Sequence, residues 1–209
     1  MENINYNLIL NGSDFKEIKY LSKFLYFSLK SENFNVSLLI KPASNISNYS
    51  LTYAVIKVGK FESISCLQNI DAVISLDYQS TLNYLPYINE NTLVISDYSA
   101  FNVCDYWLTN NDEVSEKLNE KTANIYKIPV KNIIDTDAMG KNKVSAYNSL
   151  IGAFIAKSNL IDLDSVFRQT ALFSKNDAEK KNVIQAVLKG YDYVLEGESD
   201  SLSQSPHKP

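Results

Sequence analysis

The sequence is poor in the residues that usually carry catalytic or metal-binding chemistry. Its 209 residues include one histidine, two cysteines and six glycines. His207 lies close to the end of the chain, where nothing can hold a general base in position. Cys66 and Cys104 are too few and too isolated for a disulfide framework or a metal site, and we interpret both as small buried hydrophobes. We therefore predict no catalytic and no metal-binding residues in this chain.

Long apolar runs and an excess of positive charge are also missing. The longest apolar stretches, such as residues 8–10 and 151–156, fall far short of the roughly 20 residues that a membrane helix needs. The first residues lack the basic-then-apolar pattern of a secretory signal. A net charge of −4 argues against a general nucleic-acid binder. We expect a cytoplasmic protein that binds neither membranes nor nucleic acid.

The apolar residues that are present alternate between short strand-like runs and helical patterns. Strands are predicted over residues 6–10, 36–40, 51–58, 71–77, 91–97, 106–108 and 125–128. Helices are predicted from Asp14 to residue 30 and over 79–88, 131–139 and 144–158. A further helix is predicted from Asp162 or Asp164 to residue 173, and the last one begins at Asp177. Residues 41–50 read as a polar loop, and the charged stretch 110–121 as an exposed segment between two strands.

This alternation, followed by a helical end, predicts an α/β fold. We expect a Rossmann-like, mostly parallel sheet with helices on both faces and a C-terminal helical layer. The composition is consistent with a single domain over residues 1–196 and a disordered polar tail over 197–209.

The first strand-to-helix corner, "NGSDFK", is the candidate cofactor-binding loop. Gly12 and Ser13 are the residues that could approach a phosphate at the helix N-terminus. Phosphate cradles use several glycines, whereas this corner has one, and Asp14 would repel a phosphate. A structural turn is therefore favoured over a phosphate site, with Ser13 or Asp14 capping the helix.

Two further aspartates follow predicted strands, at the sheet edge where open α/β folds bind ligands. Asp77 ends the fourth strand and Asp97 the fifth. Both a place in a ligand cleft and a simple turn-capping role fit them. In the C-terminal half, Asp162 or Asp164 can cap one helix and Asp177 the last.

Motifs spread along most of residues 5–195 resemble one known family. They are "DAVISLD" at 71–77, "YLPY" at 84–87, "IPVKNI" at 128–133, Lys143, "LIGA" at 150–153 and "AVLKGY" at 186–191. In this order they are similar to the gamma subunit, or gamma domain, of 2-oxoacid:ferredoxin oxidoreductases of the pyruvate and 2-ketoisovalerate type. The resemblance implies a chain that works with alpha and beta subunits in oxidative decarboxylation of a 2-oxoacid to an acyl-coenzyme A.

Both functional signatures of that family are absent here. A first loop similar to G-x-G-G-Q-G is replaced by "NGSDFK", and a second, similar to Y-G-x-E-x-R-G-G, falls within "PASNISNYS" at 42–50. The resemblance places thiamine diphosphate and iron–sulfur clusters on partner chains, and coenzyme A in the complex. It implies a diverged gamma subunit with a mainly structural role. The alternative is a stand-alone binding or scaffold paralogue that associates with copies of itself.

Overall fold

The computed structural model describes residues 4–42, 52–60, 69–99, 111–134 and 143–203. These residues contain one six-stranded sheet in the order β2-β3-β1-β4-β5-β6. The strands are Tyr6–Gly12 (β1), Val36–Lys41 (β2), Thr52–Val58 (β3), Ala72–Ser75 (β4), Leu93–Asp97 (β5) and Ile125–Ile128 (β6). Strands β1, β4, β5 and β6 pair in parallel, whereas β3 runs antiparallel between β2 and β1. The predicted mostly parallel α/β sheet is confirmed.

Helices cover both faces of the sheet. They are Phe15–Ser31 (α1), Asn111–Asn119 (α2), Val130–Ile133 (α3), Lys143–Ser158 (α4), Leu163–Phe173 (α5), Asp177–Ser203 (α6) and the 3₁₀ helix Gln79–Tyr87. Because strand side chains alternate, Leu8 and Leu10 pack under α1 and the C-terminal helices, whereas Ile9 faces the other way. That second core also takes in Tyr84 of the 3₁₀ helix and Leu118 of α2. The expected C-terminal helical layer is therefore α4–α6, on the α1 face.

Two glycines let α4 and α6 pack backbone against backbone. A Cβ atom added to Gly152 would lie 1.8 Å from the carbonyl oxygen of Val187. A Cβ atom added to Gly190 would lie 1.8 Å from the carbonyl oxygen of Ser149. Each helix thus presents a glycine to the other's backbone. The glycines of "LIGA" and "AVLKGY" are required by this helix crossing.

Several local predictions need correction. The stretch predicted as an exposed charged segment is exposed at its described charged residues, but it contains α2, and the fully buried Leu118 anchors that helix to the second core. The last helix continues to Ser203, and the polar tail predicted over 197–209 stays a prediction. Asp177 is the first residue of α6 and not its cap, because the Asn176 side chain accepts the backbone N–H of Glu179 at 2.8 Å. None of the described helices is long and apolar enough to cross a membrane.

Other expectations fall partly or wholly on residues outside the described ranges. These are the loop over 43–50, the strand at 106–108, the end of the helix predicted over 131–139, both cysteines and His207. Asp162 does occupy the N-cap position of α5, but its side chain makes no capping hydrogen bond.

Candidate functional site

The first corner is closed by a side chain of its own. Asp14 is the N-cap of α1, and its Oδ1 accepts the backbone N–H groups of Lys16 at 2.8 Å and Glu17 at 3.2 Å. These are the helix N-terminal donors that a bound phosphate would need. These two donors are therefore not free for a phosphate, and the carboxylate that accepts them adds a negative charge. Of the two predicted caps, Asp14 is the one that acts.

Gly12 serves the packing of this corner. It is buried at the end of β1, and a Cβ atom added to it would lie 2.9 Å from the Cβ of Leu76, just after β4. A side chain here would push two neighbouring strand ends apart. Ser13 is exposed beside it. Close packing against Leu76 thus explains why position 12 is a glycine. The binding role of Gly12 and Ser13 stays a prediction.

The strand-end aspartates cap turns at the same edge. Asp97 is 2% exposed, and its Oδ1 accepts hydrogen bonds from the N–H and hydroxyl of Ser99 and from the N–H of Val130. Burial raises the pKa of this carboxyl above its ordinary value, and the hydrogen bonds from Ser99 and Val130 oppose that rise. Asp77 Oδ1 accepts the N–H of Ser80 at 2.8 Å. The capping interpretation is confirmed for both.

The charges of four carboxylates act on the half-buried phenol of Tyr147 on α4. Burial first, and then the negative charges of Asp97, Glu17, Asp77 and Asp14, raise the pKa of Tyr147 to about 12. Electrostatic repulsion by these carboxylates opposes the binding of a polyphosphate near this phenol.

On the opposite face, the 3₁₀-helix side, the same edge carries a row of polar side chains that spans all six strands. The register aligns Lys41, Tyr53, Asn11, Ser75, Ser96 and Lys127. Asn11, Ser75 and Ser96 are 0% exposed. The Ser75 hydroxyl accepts a hydrogen bond from the Thr81 hydroxyl at 2.9 Å. In the described part of the chain, the two amide atoms of Asn11 and the Ser96 hydroxyl have no hydrogen-bond partner. Sequence reasoning missed this row, although "ISLDY" and "ISDY" each end an apolar strand with the same polar types.

The opposite edge of the sheet holds an open polar groove of about 600 Å³. It is lined by residues that include Asp71, Asn91, Glu120 and Lys121, at the amino ends of β4 and β5. Burial raises the pKa of Asp71, whose carboxylate accepts the backbone N–H of Asn7 at 2.7 Å. Within the described ranges, no three His, Cys, Asp or Glu side chains are grouped so that they could hold a metal ion.

Sequence comparison decides the family. The family model described as "Pyruvate ferredoxin/flavodoxin oxidoreductase" matches residues 20–193, which is most of the 209-residue chain. The chain belongs to this oxidoreductase family. No curated protein sequence matches it.

Solved structures agree on the fold. The chain is similar to a pyruvate oxidoreductase subunit from Thermotoga maritima, with a TM-score of 0.64 and 13% identity over 90% of this chain and 96% of that one. It is equally similar to a keto/oxoacid ferredoxin oxidoreductase gamma subunit from Geobacter sulfurreducens, with a TM-score of 0.64 and 12% identity over 91% of this chain and 99% of that one.

A larger protein contains the same fold. The 2-oxoglutarate:ferredoxin oxidoreductase of Magnetococcus marinus, solved with 2-oxoglutarate, coenzyme A and succinyl-CoA, gives a TM-score of 0.64 and 14% identity. All of this chain is covered, but only 33% of that one. The oxidoreductase-family chain described here therefore corresponds in fold to a separate subunit in two relatives and to part of a longer chain in the third.

Proposed function

We propose that this chain is a gamma-type subunit of a 2-oxoacid:ferredoxin oxidoreductase and that its own role is mainly structural. The single observation that carries the proposal is the family match over residues 20–193. The similarity in fold to whole gamma subunits adds support, because the chain covers 96% and 99% of two such structures. The whole complex would convert a 2-oxoacid and coenzyme A into an acyl-coenzyme A and pass electrons to ferredoxin.

The self-capped corner supports the structural role. Asp14 occupies two of the helix N-terminal donors, and the charges of four carboxylates act on the phenol of Tyr147. Coenzyme A is a polyphosphate ester, and the Asp14 carboxylate already accepts two of the helix N-terminal amides that would bind its phosphates. In the complex, thiamine diphosphate and the iron–sulfur clusters would be held by partner chains, because two cysteines cannot supply the four thiolates that a cluster takes.

An exposed apolar patch supports assembly with other chains. Leu172 of α5 is 75% exposed, and Phe27 of α1 is 44% exposed. The ring of Phe27 lies 5.9 Å from that of Phe173 and 5.1 Å from that of Tyr26. Leu172 precedes Phe173 in sequence, and exposed apolar side chains on two adjoining helices are typical of protein–protein contacts. We propose the alpha or beta subunit as the chain that covers this patch.

Purification from the native cell tests the proposal. The chain, tagged and expressed at its natural level, is isolated and the bound proteins are identified by mass spectrometry. We expect alpha and beta chains that bind thiamine diphosphate and iron–sulfur clusters, in amounts equal to the tagged chain. Recovery of a homogeneous chain without these partners would contradict the proposal and favour the stand-alone paralogue.

A matched pair of variants gives the patch its own test. Leu172→Glu places a charge in the patch and is expected to reduce recovery of the partner chains at least about tenfold. Tyr87→Glu changes a 41% exposed side chain of the 3₁₀ helix, on the other face of the sheet, and is expected to leave recovery unchanged. Equal recovery with both variants would show that the patch is not the contact surface.

A further inference from the structure

The ammonium group of Lys127 lies in an aromatic site at the edge of the sheet. Its Nζ is 5.2 Å from the ring centre of Tyr78 and 5.1 Å from that of Tyr98. These tyrosines follow Asp77 and Asp97 at the ends of two neighbouring strand segments, and their rings meet edge to face at 5.5 Å. Two aromatic rings beside a cation stabilise its charge, and they also restrict the conformation of the lysine side chain.

In the described part of the chain, the ammonium group of Lys127 uses one of its N–H donors. Its Nζ donates to the Ser115 hydroxyl at 2.7 Å, and that hydroxyl is 3.0 Å from the Tyr78 hydroxyl. An ammonium group has three N–H donors, and none of the carboxylates whose side chains the structure describes pairs with this one. A half-buried cation with spare donors is suited to receive an anion.

The neighbouring strand supplies a second donor. Ser96 is the register partner of Lys127 and faces the same side of the sheet, since Val94 and Ile125 two residues earlier both pack into the second core. The Ser96 side chain is 0% exposed, and its hydroxyl makes no hydrogen bond within the part of the chain that is described. A buried hydroxyl without a partner is uncommon in native proteins, and one beside a cation is placed to donate to a bound anion.

We infer that Lys127 and Ser96 form a binding site for the carboxylate or phosphate group of a small molecule. The ammonium provides the charge, Ser96 provides a hydroxyl donor, and the tyrosine rings exclude water from the contact. Tyr98 is 37% exposed and marks the side from which a ligand enters. The site lies on the sheet face opposite α1, the helix that Asp14 caps. It therefore stands independently of the proposed gamma-subunit role.

Titration of the full chain with two simple probes tests the inference. Inorganic phosphate and acetate are titrated separately into the protein, and the heat of binding is measured by calorimetry at an ionic strength held constant with chloride. We expect saturable, roughly millimolar binding of at least one probe, and the stronger of the two identifies the ligand group. Lys127→Gln and Ser96→Ala are each expected to weaken that binding about tenfold, because each removes one donor to a charged group.

Two matched variants serve as controls. Lys41 lies at the other end of the same polar row, with its Nζ 5.8 Å from the Tyr53 ring, and Lys41→Gln should leave binding unchanged. Ser37 also has a buried hydroxyl without a described partner, at the other end of the sheet, and Ser37→Ala should behave likewise. If Lys127→Gln fails to fold, Ser96→Ala alone decides. Absence of saturable binding up to about 100 mM of either probe, or equal binding by all variants, would overturn the inference.

Discussion

The carboxylate of Asp14 accepts the backbone N–H of Lys16 at 2.8 Å, in the place where an α/β coenzyme loop would present that N–H to a phosphate. A second bond from Glu17 reaches the same oxygen at 3.2 Å. Two amides at the positive end of the helix dipole are therefore satisfied by the chain itself. The family fold is retained, and the corner that holds a phosphate in other α/β proteins serves here as a helix cap.

Replacement of Asp14 measures how much its capping hydrogen bonds contribute to the free energy of unfolding. Asp14→Ala removes both hydrogen bonds and is expected to lower the free energy of unfolding by about 1 kcal/mol, whereas Asp14→Asn keeps an acceptor and should lose much less. Chemical denaturation of both variants checks this. A loss of the same size in both would show that the charge, and not the cap, stabilises the corner.

The helix crossing predicts a large effect from a single methyl group. Gly152→Ala should destabilise the protein by about 3 kcal/mol or more, because the new Cβ would meet the Val187 carbonyl oxygen at 1.8 Å and α4 would have to move away from α6. Gly197→Ala is the control, since nothing lies within 4 Å of its added Cβ and alanine favours a helix. A thermal melt in which both variants match the wild type would contradict the described crossing.

The buried carboxyl of Asp97 predicts a pH effect. Its pKa is raised by burial above the ordinary value of 3.8, so the folded state holds this proton more tightly than the unfolded state. Its contribution to stability is therefore greatest below pH 3.8 and is lost as the pH rises through the raised pKa.

Asp97→Asn isolates that contribution. Asparagine can still accept the bonds from Ser99 and Val130 but does not ionise. Relative to this variant, the wild type should lose stability from pH 3.8 upwards, and the difference should be constant well above the raised pKa. Chemical denaturation of both proteins over this pH range measures the difference in their free energies of unfolding. A wild type that gains stability relative to Asp97→Asn as the pH rises would contradict the prediction.

Asn11 offers a further stability test. Neither of its amide atoms is hydrogen bonded in the described residues, so Asn11→Leu is expected to raise the free energy of unfolding by about 1 kcal/mol. Thr81→Val is the matched control, because it removes a hydroxyl that donates to Ser75 at 2.9 Å and should cost about 1 kcal/mol. Equal losses in urea denaturation would show that Asn11 has a partner in solution.

Much of this architecture could be predicted because its signals are local. The apolar run of β1, the helical spacing of α1 and the apolar "LIGAF" segment of α4 each identify their element from a few residues. The capping role of Asp14 also follows from its position one residue before α1. The order of such elements and a few short motifs were enough to recognise the family.

The remaining features depend on pairings between distant residues. The antiparallel place of β3 and the alignment of Ser96 with Lys127 are set by strand register, which one sequence does not reveal. Helix α2 has a charged sequence, and its position against the sheet comes from Leu118, which packs into a core formed by other elements. The role of Gly152 likewise depends on Val187, which is 35 residues away in sequence on α6.

The central claim is that the first corner holds its own carboxylate and no coenzyme, and a titration with coenzyme A tests it most directly. The backbone amide signals of Lys16 and Glu17 are followed by nuclear magnetic resonance in the isotope-labelled full chain. We predict that both signals stay unchanged up to about 1 mM coenzyme A, far above the micromolar affinity of a working site. Saturable shifts of these two amides would contradict the account.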